Sequence, residues 1–255
     1  MKPATLRGVE VRSVRILGVR VDDVTTDETL ALVDSFIGEG KPHQLVTVNP
    51  EFVMEAQHNR AFHVVLESAS LALPDGVGLL WAARRLGHPL RERVTGSDTL
   101  PLLARKAADK GYSIFLLGAA PGVALRAALV LQARYSGLRV AGTYAGSPDA
   151  AEEDDIVARI VAAAPDMLFV AYGAPRQDLW ICRNLHRLHV PVCMGIGGSL
   201  DFLAGVARRA PLWVRRVGLE WLYRLIREPW RWRRMLALPR FVWAVLRQPS
   251  KEPPC

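Results

Sequence analysis

Short apolar runs alternate with amphipathic stretches along most of this chain, and the two periods predict strands and helices in turn. Runs over 14–21, 44–48, 71–74, 112–117, 138–143, 167–172 and 190–195 read as strands. Helical spacing falls over 26–37, from Pro50 to about 67, from Val77, and over 99–110, 121–135, 152–164 and 176–188. Punctuation agrees with the periods: Asn49 caps ahead of Pro50, Ser97 or Asp98 caps the helix that Gly111 closes, and Gly38-Glu39-Gly40 ends the first helix. Such alternation forces parallel strands with right-handed crossovers, so the expected fold is α/β, a Rossmann-like parallel sheet with helices on both faces.

In such a sheet ligands bind at the carboxyl ends of the strands. The residues there are Thr47 and Asn49, Asp75 in Leu73-Pro-Asp75-Gly76, and three glycine loops that begin at Gly118, Gly173 and Gly195. Gly118, Gly173, Gly197 and Gly198 suit a backbone that must approach a nucleotide diphosphate and offer it N–H groups. Asp75 stands where a buried strand opens into a loop, which fits a catalytic carboxylate and a turn aspartate beside Gly76 equally well.

After Asp201 the pattern changes to helical stretches over 212–227, 230–238 and 239–246, with a break at Pro229. The expected division is an α/β catalytic domain over 1–206, a helical basic appendage over 207–248 and a disordered, proline-rich tail over 249–255. The charge is concentrated in the appendage. Residues 205–248 hold eleven arginines, no lysine and two acids, Glu220 and Glu228, a sum of +9, so the rest of the chain carries −1 of the total +8. Five of the seven tryptophans lie there too. Arginine with tryptophan fits an anionic membrane surface, where guanidinium grips phosphate and indole settles among headgroups. A helix pair packed on the domain, with Trp in its core and Arg in water, is the alternative. Arg224, Arg227, Arg231 and Arg234 would form one stripe if the helical phase survived Pro229.

Half of the 255 residues are apolar, enough for a sizeable core. Three cysteines without pairing or ligand spacing suit a reducing compartment, and residues 1–12 lack the apolar stretch of a signal peptide. With no run long enough to span a bilayer, the expected location is cytoplasmic, peripheral on the inner face of the plasma membrane. The dinucleotide fingerprint, the Walker A lysine motif, the G-x-S-x-G elbow and H-E-x-x-H are absent, as is any Asp-x-Asp clamp. Neither a metal nor a cofactor is expected.

Thr47-Val-Asn49-Pro-Glu51, Leu73-Pro-Asp75-Gly76-Val-Gly78, Arg93-Val-Thr-Gly96-Ser-Asp98, Gly173-Ala-Pro175-Arg-Gln177-Asp, Gly197-Gly-Ser-Leu-Asp201 and Arg209-Ala-Pro-Leu-Trp213 through Glu220-Trp221-Leu-Tyr-Arg224 occur in this order. Together they resemble the WecG/TagA/CpsF family of bacterial glycosyltransferases (glycosyltransferase family 26), over nearly the whole chain. The resemblance implies inverting transfer from a UDP-sugar donor to a sugar on a polyprenyl diphosphate, in cell-surface polysaccharide synthesis, with Asp75 as general base. It implies that Thr47, Asn49 and Gln177 orient substrate, although Asn49 and Gln177 also suit helix caps. Arg93 would meet substrate phosphate, against an ordinary ion pair with Glu92 or Asp98. Asp201 would accept from uridine, and Arg224, Arg231 and Arg234 would come to the site when the appendage closes. One departure stands out: the family's Gly-Tyr-Phe is replaced by Gly146-Ser147-Pro148, which leaves Tyr144 as the nearby aromatic for uracil. Two other classes fit parts of the chain. A nucleic-acid binder would use the Arg/Trp tail, and a nucleotide-dependent oxidoreductase would use the sheet. Off the membrane, the apolar face of the appendage favours self-association.

Overall fold

The computed structural model describes residues 5–6 and 9–248, with side chains for 11–230 and 232–248. The tail expected over 249–255 and the side chain of Arg231 lie outside the described residues. Near the N-terminus β1 (Thr5–Leu6) pairs antiparallel with β2 (Val9–Glu10), and β3 (Ser13–Ile16) with β4 (Val19–Asp22). The single strand expected over 14–21 is therefore a hairpin. Leu17 and Gly18 take φ of 49° and 79°, the left-handed pair that a two-residue turn requires. A run of β-branched residues with one internal glycine conceals such a turn. The hairpin is tied to the main sheet by Asp22, whose Oδ2 accepts from the Ala72 N–H at 2.7 Å.

From here the strands alternate with helices: α1 (Thr26–Glu39), β5 (His43–Val48), α2 (Pro50–Ala56), α3 (Arg60–Ser68), β6 (Leu71–Pro74), α4 (Val77–Arg85) and α5 (Gly96–Lys110). There follow β7 (Ser113–Gly118), α6 (Val123–Arg134), β8 (Arg139–Tyr144), α7 (Ala150–Ala163), β9 (Met167–Ala171), α8 (Arg176–Leu188), β10 (Val192–Gly195) and α9 (Ser199–Leu203). Strands β5 to β10 form one six-stranded sheet in the order β6-β5-β10-β9-β7-β8, and every pairing in it is parallel. This is the expected α/β, Rossmann-like architecture. Successive strand residues face opposite layers. Leu45, Leu73, Phe169 and Met194 pack under α1, α5, α6 and α9, whereas Val46, Val48, Leu168 and Cys193 face α2, α3, α4, α7 and α8.

Two helix boundaries differ from expectation for one reason, a competing cap. The helix expected from Pro50 to about 67 is two helices, because Asn59 Oδ1 accepts from the Phe62 N–H at 3.0 Å and starts a second one. The helix expected to be capped by Ser97 or Asp98 begins at Gly96, with Thr95 as its cap. Register then aligns the strand ends: Thr47 lies opposite Leu73 and Gly195 opposite Val170. The loops after β5, β6, β9 and β10 therefore open at one end of the sheet. From β5 the chain moves outward to β6, while β10, on its other side, continues into α9 beside α6. The crevice between them is where the chain departs in opposite directions, the usual place for a ligand.

The C-terminal segment consists of α10 (Leu212–Arg216), α11 (Glu220–Arg227), a single 3₁₀ turn over Pro229–Arg231, α12 (Trp232–Met235) and α13 (Ala237–Arg247). The helix expected over 212–227 is broken at Gly218. That residue has φ of 77° and packs so closely on α4 that a Cβ there would lie 2.7 Å from Val77 Cγ1. Glu228 is extended, with φ −128° and ψ 69°, so no single helical phase runs from Arg224 to Arg234. Pro239 falls in the first turn of α13, where no helical hydrogen bond is lost. Phe241, 1% exposed, and Val245 join the core cluster around Val48, Phe52 and Leu79. The tryptophans do the reverse: Trp213, Trp230, Trp232 and Trp243 are more than half exposed, so the arrangement with Trp in the core is not the one found. No helix among the described residues is long and apolar enough to cross a membrane.

Candidate active site

The cleft at the strand ends has two lobes that meet at Asp75. One, of about 460 Å³, is lined by the strand-end loops: Thr47, Gly96, Tyr172, Gly173, Gln177, Gly197, Gly198 and Asp201. The other, of about 360 Å³, runs under the C-terminal segment past Val77, Trp221, Met235, Leu238, Phe241 and Val242, with Arg93 and Arg209 on its wall. Asn49, Glu51, Asp75, Ser97 and Arg224 belong to both. The first lobe is thus mainly polar, and the second is largely apolar with arginines at its edge.

Asp75 is held by backbone on two sides. Its own N–H donates to Val48 O at 2.7 Å, and its Oδ2 accepts from the Gly96 N–H at 3.3 Å. Three glycines let the walls close on it. Gly76 has φ of 120°, a Cβ on Gly78 would lie 2.8 Å from Pro50 Cγ, and one on Gly96 would lie 3.3 Å from Thr47 Cγ2. Burial pushes the Asp75 carboxyl up to about 7, against the pull of the Gly96 N–H and the Arg93 charge, and with a further push from Glu220 and Asp98. A carboxyl poised there exchanges protons near neutral pH, as a general base must.

The other expected residues divide into those facing the cleft and those engaged by the fold. Thr47 is buried on the cleft wall. Asn49 has both roles, since its Oδ1 caps α2 by accepting from the Phe52 N–H at 3.0 Å while the residue lines both lobes. Arg93 is not paired with Glu92 or Asp98. Glu92 accepts from Thr26, and Asp98 from Thr95, Arg209 and Arg215. Gln177 is 2% exposed and does not cap α8; its Oε1 accepts from the Gly197 N–H at 3.0 Å and so shapes the glycine loop. Under that loop a Cβ on Gly195 would lie 2.6 Å from both Gln177 Nε2 and Asp178 Oδ1, so a larger residue would have to displace these two buried side chains. Asp178 itself is fully buried, and burial lifts its carboxyl to about 7 against the Gln177 amide.

Gly173, Gly197 and Gly198 line the polar lobe, and Gly173 and Gly197 have positive φ. Gly118 does not line either lobe. Its φ is 97° and a Cβ would lie 2.8 Å from the Ala171 carbonyl carbon, so it serves the close approach of β7 to β9. Tyr144 is likewise away from the cleft, with Arg159 stacked 4.8 Å from its ring centroid. Asp201 lines the polar lobe near Gly198; burial and the Glu228 charge raise its carboxyl while Arg224 opposes them. Arg224 reaches both lobes and lies 5.2 Å from the Phe202 ring centroid. Arg234 is on the polar lobe but paired with Glu51 at 2.7 Å.

Sequence reasoning missed the ion network that brings the C-terminal segment to the cleft. Arg209 grips both oxygens of Asp98, at 2.6 and 2.9 Å, and its Nε donates to Glu220 at 3.1 Å; Arg215 adds a bond to Asp98 at 3.2 Å. Burial pushes the Asp98 carboxyl up, but bonds from Arg209 and Thr95 and the charges of Arg209 and Arg215 outweigh it and hold it below the ordinary range. The available signal was Glu220, one of only two acids among eleven arginines. Among the described residues no three His, Cys, Asp or Glu side chains come together as a metal cage.

Comparison with known proteins follows the same line. A family model described as "Glycosyl transferase WecG/TagA/CpsF family" matches residues 14–253. The N-acetylglucosaminyldiphosphoundecaprenol N-acetyl-beta-D-mannosaminyltransferase of Bacillus spizizenii is 37% identical over 227 residues, 89% of this chain and 88% of its own. Its counterpart in Bacillus subtilis is 38% identical, over 81% of this chain and 80% of its own. The Staphylococcus aureus enzyme of the same name is 33% identical, over 95% of this chain and 97% of its own.

Proposed function

Because the chain belongs to the WecG/TagA/CpsF family of glycosyltransferases, we propose that it transfers an N-acetylmannosamine-type sugar from a UDP-sugar to an N-acetylglucosamine carried on a polyprenyl diphosphate. Relatives at 33–38% identity carry names with that acceptor and that sugar. The observation that carries the mechanism is Asp75, where the two lobes meet, with its proton held to about 7.

In this reading the polar lobe takes the UDP-sugar and the apolar lobe takes the acceptor lipid. The acceptor hydroxyl attacks the anomeric carbon from the face opposite UDP, the bond from that carbon to the diphosphate oxygen breaks, and the hydroxyl proton passes to the Asp75 carboxylate. One displacement inverts the anomeric centre. Charge gathers on the departing diphosphate, where guanidinium groups stabilise it most in a site shielded from water. Arg224 stands at both lobes and Arg93 at the apolar one, so they are assigned to the leaving group and the acceptor diphosphate. Thr47 and Asn49 orient the reacting sugar, Gln177 acts through the Gly197 loop, and Asp201 accepts from the nucleoside. The exposed tryptophans of the C-terminal segment seat the enzyme on the cytoplasmic face of the membrane, where a lipid-linked acceptor is presented.

The test is UDP release from a panel of UDP-sugars, with a short-chain prenyl-diphosphate N-acetylglucosamine as acceptor. UDP-N-acetylmannosamine should give acceptor-dependent release and a product of inverted configuration. Release with no donor in the panel, or a product of retained configuration, sinks the proposal.

A further inference from the structure

A second cavity, of about 420 Å³, adjoins the polar lobe where α12 and α13 cross α2 and α3, and shares Glu51, Phe52, Ala174 and Arg234 with it. Asp75 is not on its wall, so the reacting atoms meet elsewhere. Its floor is apolar, with Phe52, Met54 and Phe62, and its rim carries Arg233, Arg234 and Arg240. Two acids also line it, and both are engaged. Glu51 pairs with Arg234 at 2.7 Å, while Glu55 accepts from Asn59 at 2.8 Å and faces His58 Nε2 at 3.3 Å. Arg233 and Arg240 have no carboxylate within ion-pair reach among the described residues; Arg233 rests 5.5 Å from the Trp232 ring centroid. Two guanidiniums outside any ion pair at the rim of an apolar hollow, where three arginines outnumber two glutamates, match one ligand chemistry, a phosphate ester with an apolar body.

The surroundings identify its source. Arg240, Trp243 and Arg247 stand at i, i+3 and i+7 of α13, on one exposed stripe, and Arg247 lies 3.4 Å from the Trp243 ring centroid. An exposed indole between two cations is suited to the headgroup layer of an anionic membrane. We propose that this cavity receives the headgroup phosphate of an anionic phospholipid, at a site separate from the acceptor lobe. The inference deepens the membrane-surface reading above and rests on it.

The full chain is titrated with phosphatidylcholine vesicles, with and without phosphatidylglycerol, and separately with dihexanoyl phosphatidylglycerol below its micellar concentration, inorganic phosphate and a single-stranded RNA. The variants are R233A/R240A and, as a control of equal charge, R208A/R216A, two exposed arginines outside the cavity. Each pair loses the general attraction of two arginines to the surface. The cavity pair is expected to lose at least tenfold more affinity for phosphatidylglycerol vesicles than the control pair, and to lose the short-chain lipid altogether. Equal losses in the two pairs, no binding of the short-chain lipid to wild type, inorganic phosphate binding as well as that lipid, or RNA binding more tightly than the vesicles each overturn the headgroup site. Transfer to a soluble acceptor in detergent should be unchanged in R233A/R240A. A donor panel that fails while the lipid results hold would sink the transferase reading alone.

Discussion

The two walls of the cleft are built by different physics. The core wall, from Thr47 through Asp75 to Gly198, is fixed by backbone hydrogen bonds and by contacts so close that a Cβ at Gly78 or Gly195 would displace its neighbours. The wall supplied by the C-terminal segment rests on an apolar plug, Phe241 with Val245, on the packing of Gly218 against Val77, and on ion pairs: Arg209 with Asp98 and Glu220, Arg215 with Asp98, and Arg234 with Glu51. Most of its tryptophans face outward. For the proposed reaction, the first kind of wall would preorganise the reacting groups and the second would admit a lipid and close over it.

The largest effect expected from breaking either wall is at Asp75. Asp75→Asn should lower transfer by about 10³-fold, within the range for loss of a general base, as measured by UDP release. Stability should move the other way. The folded chain holds this proton to about 7 against an ordinary 3.8, so it binds more protons than the unfolded chain across that window, and stability declines as pH rises through it. At pH 8 (about one unit above the folded value) the Asn variant should be more stable by about 2 kcal/mol, allowing for water at the mouth of the cleft. For the same reason, wild-type kcat/KM should climb with pH up to about 7 and then level off. A variant with wild-type turnover, or one that melts lower at pH 8, breaks the link between burial and chemistry at the core wall.

Next comes the plug. Phe241→Ala removes a ring that is 1% exposed and should cost about 3 kcal/mol in denaturant unfolding. A cost under about 1 kcal/mol would mean that the segment docks too loosely to be a wall. Arg209→Gln, which cuts the bidentate grip on Asp98, should leave the melt of the core nearly unchanged and lower transfer to lipid-linked acceptor by about tenfold, the worth of one charge-assisted pair. An equal loss of donor binding would place Arg209 in the donor lobe instead. The smallest change is at the surface: Trp230→Ala, at a residue 74% exposed, should leave stability within about 0.5 kcal/mol and weaken vesicle binding several-fold. Unaltered vesicle binding would remove that indole from the membrane contact.

Much of the core wall was legible in the residues themselves. Strand and helix periods located β5 through β10 to within a few residues, and Asn49-Pro50 and Pro74-Asp75-Gly76 marked the loops that line the cleft. The hairpin at Leu17-Gly18 was hidden because one glycine in an apolar run is a weak signal, and the split at Asn59 because a cap competes with helical spacing over only a few residues. The C-terminal wall was harder to read. Charge counting found its arginines, but whether each meets a substrate or an acid depends on partners far along the chain. Arg209 and Asp98 are 111 residues apart, and Arg234 and Glu51 are 183.

The sequence by itself determined the alternation that makes a parallel sheet, the residue types at its strand ends and the family they belong to, because these are carried by neighbours in the chain. Tertiary structure alone decided which arginines of the C-terminal segment are engaged, why Gly118 serves strand packing and not the cleft, and how firmly Asp75 holds its proton. Burial and charge at a point are set by every group around it, and those groups come from strands and helices that only folding brings together.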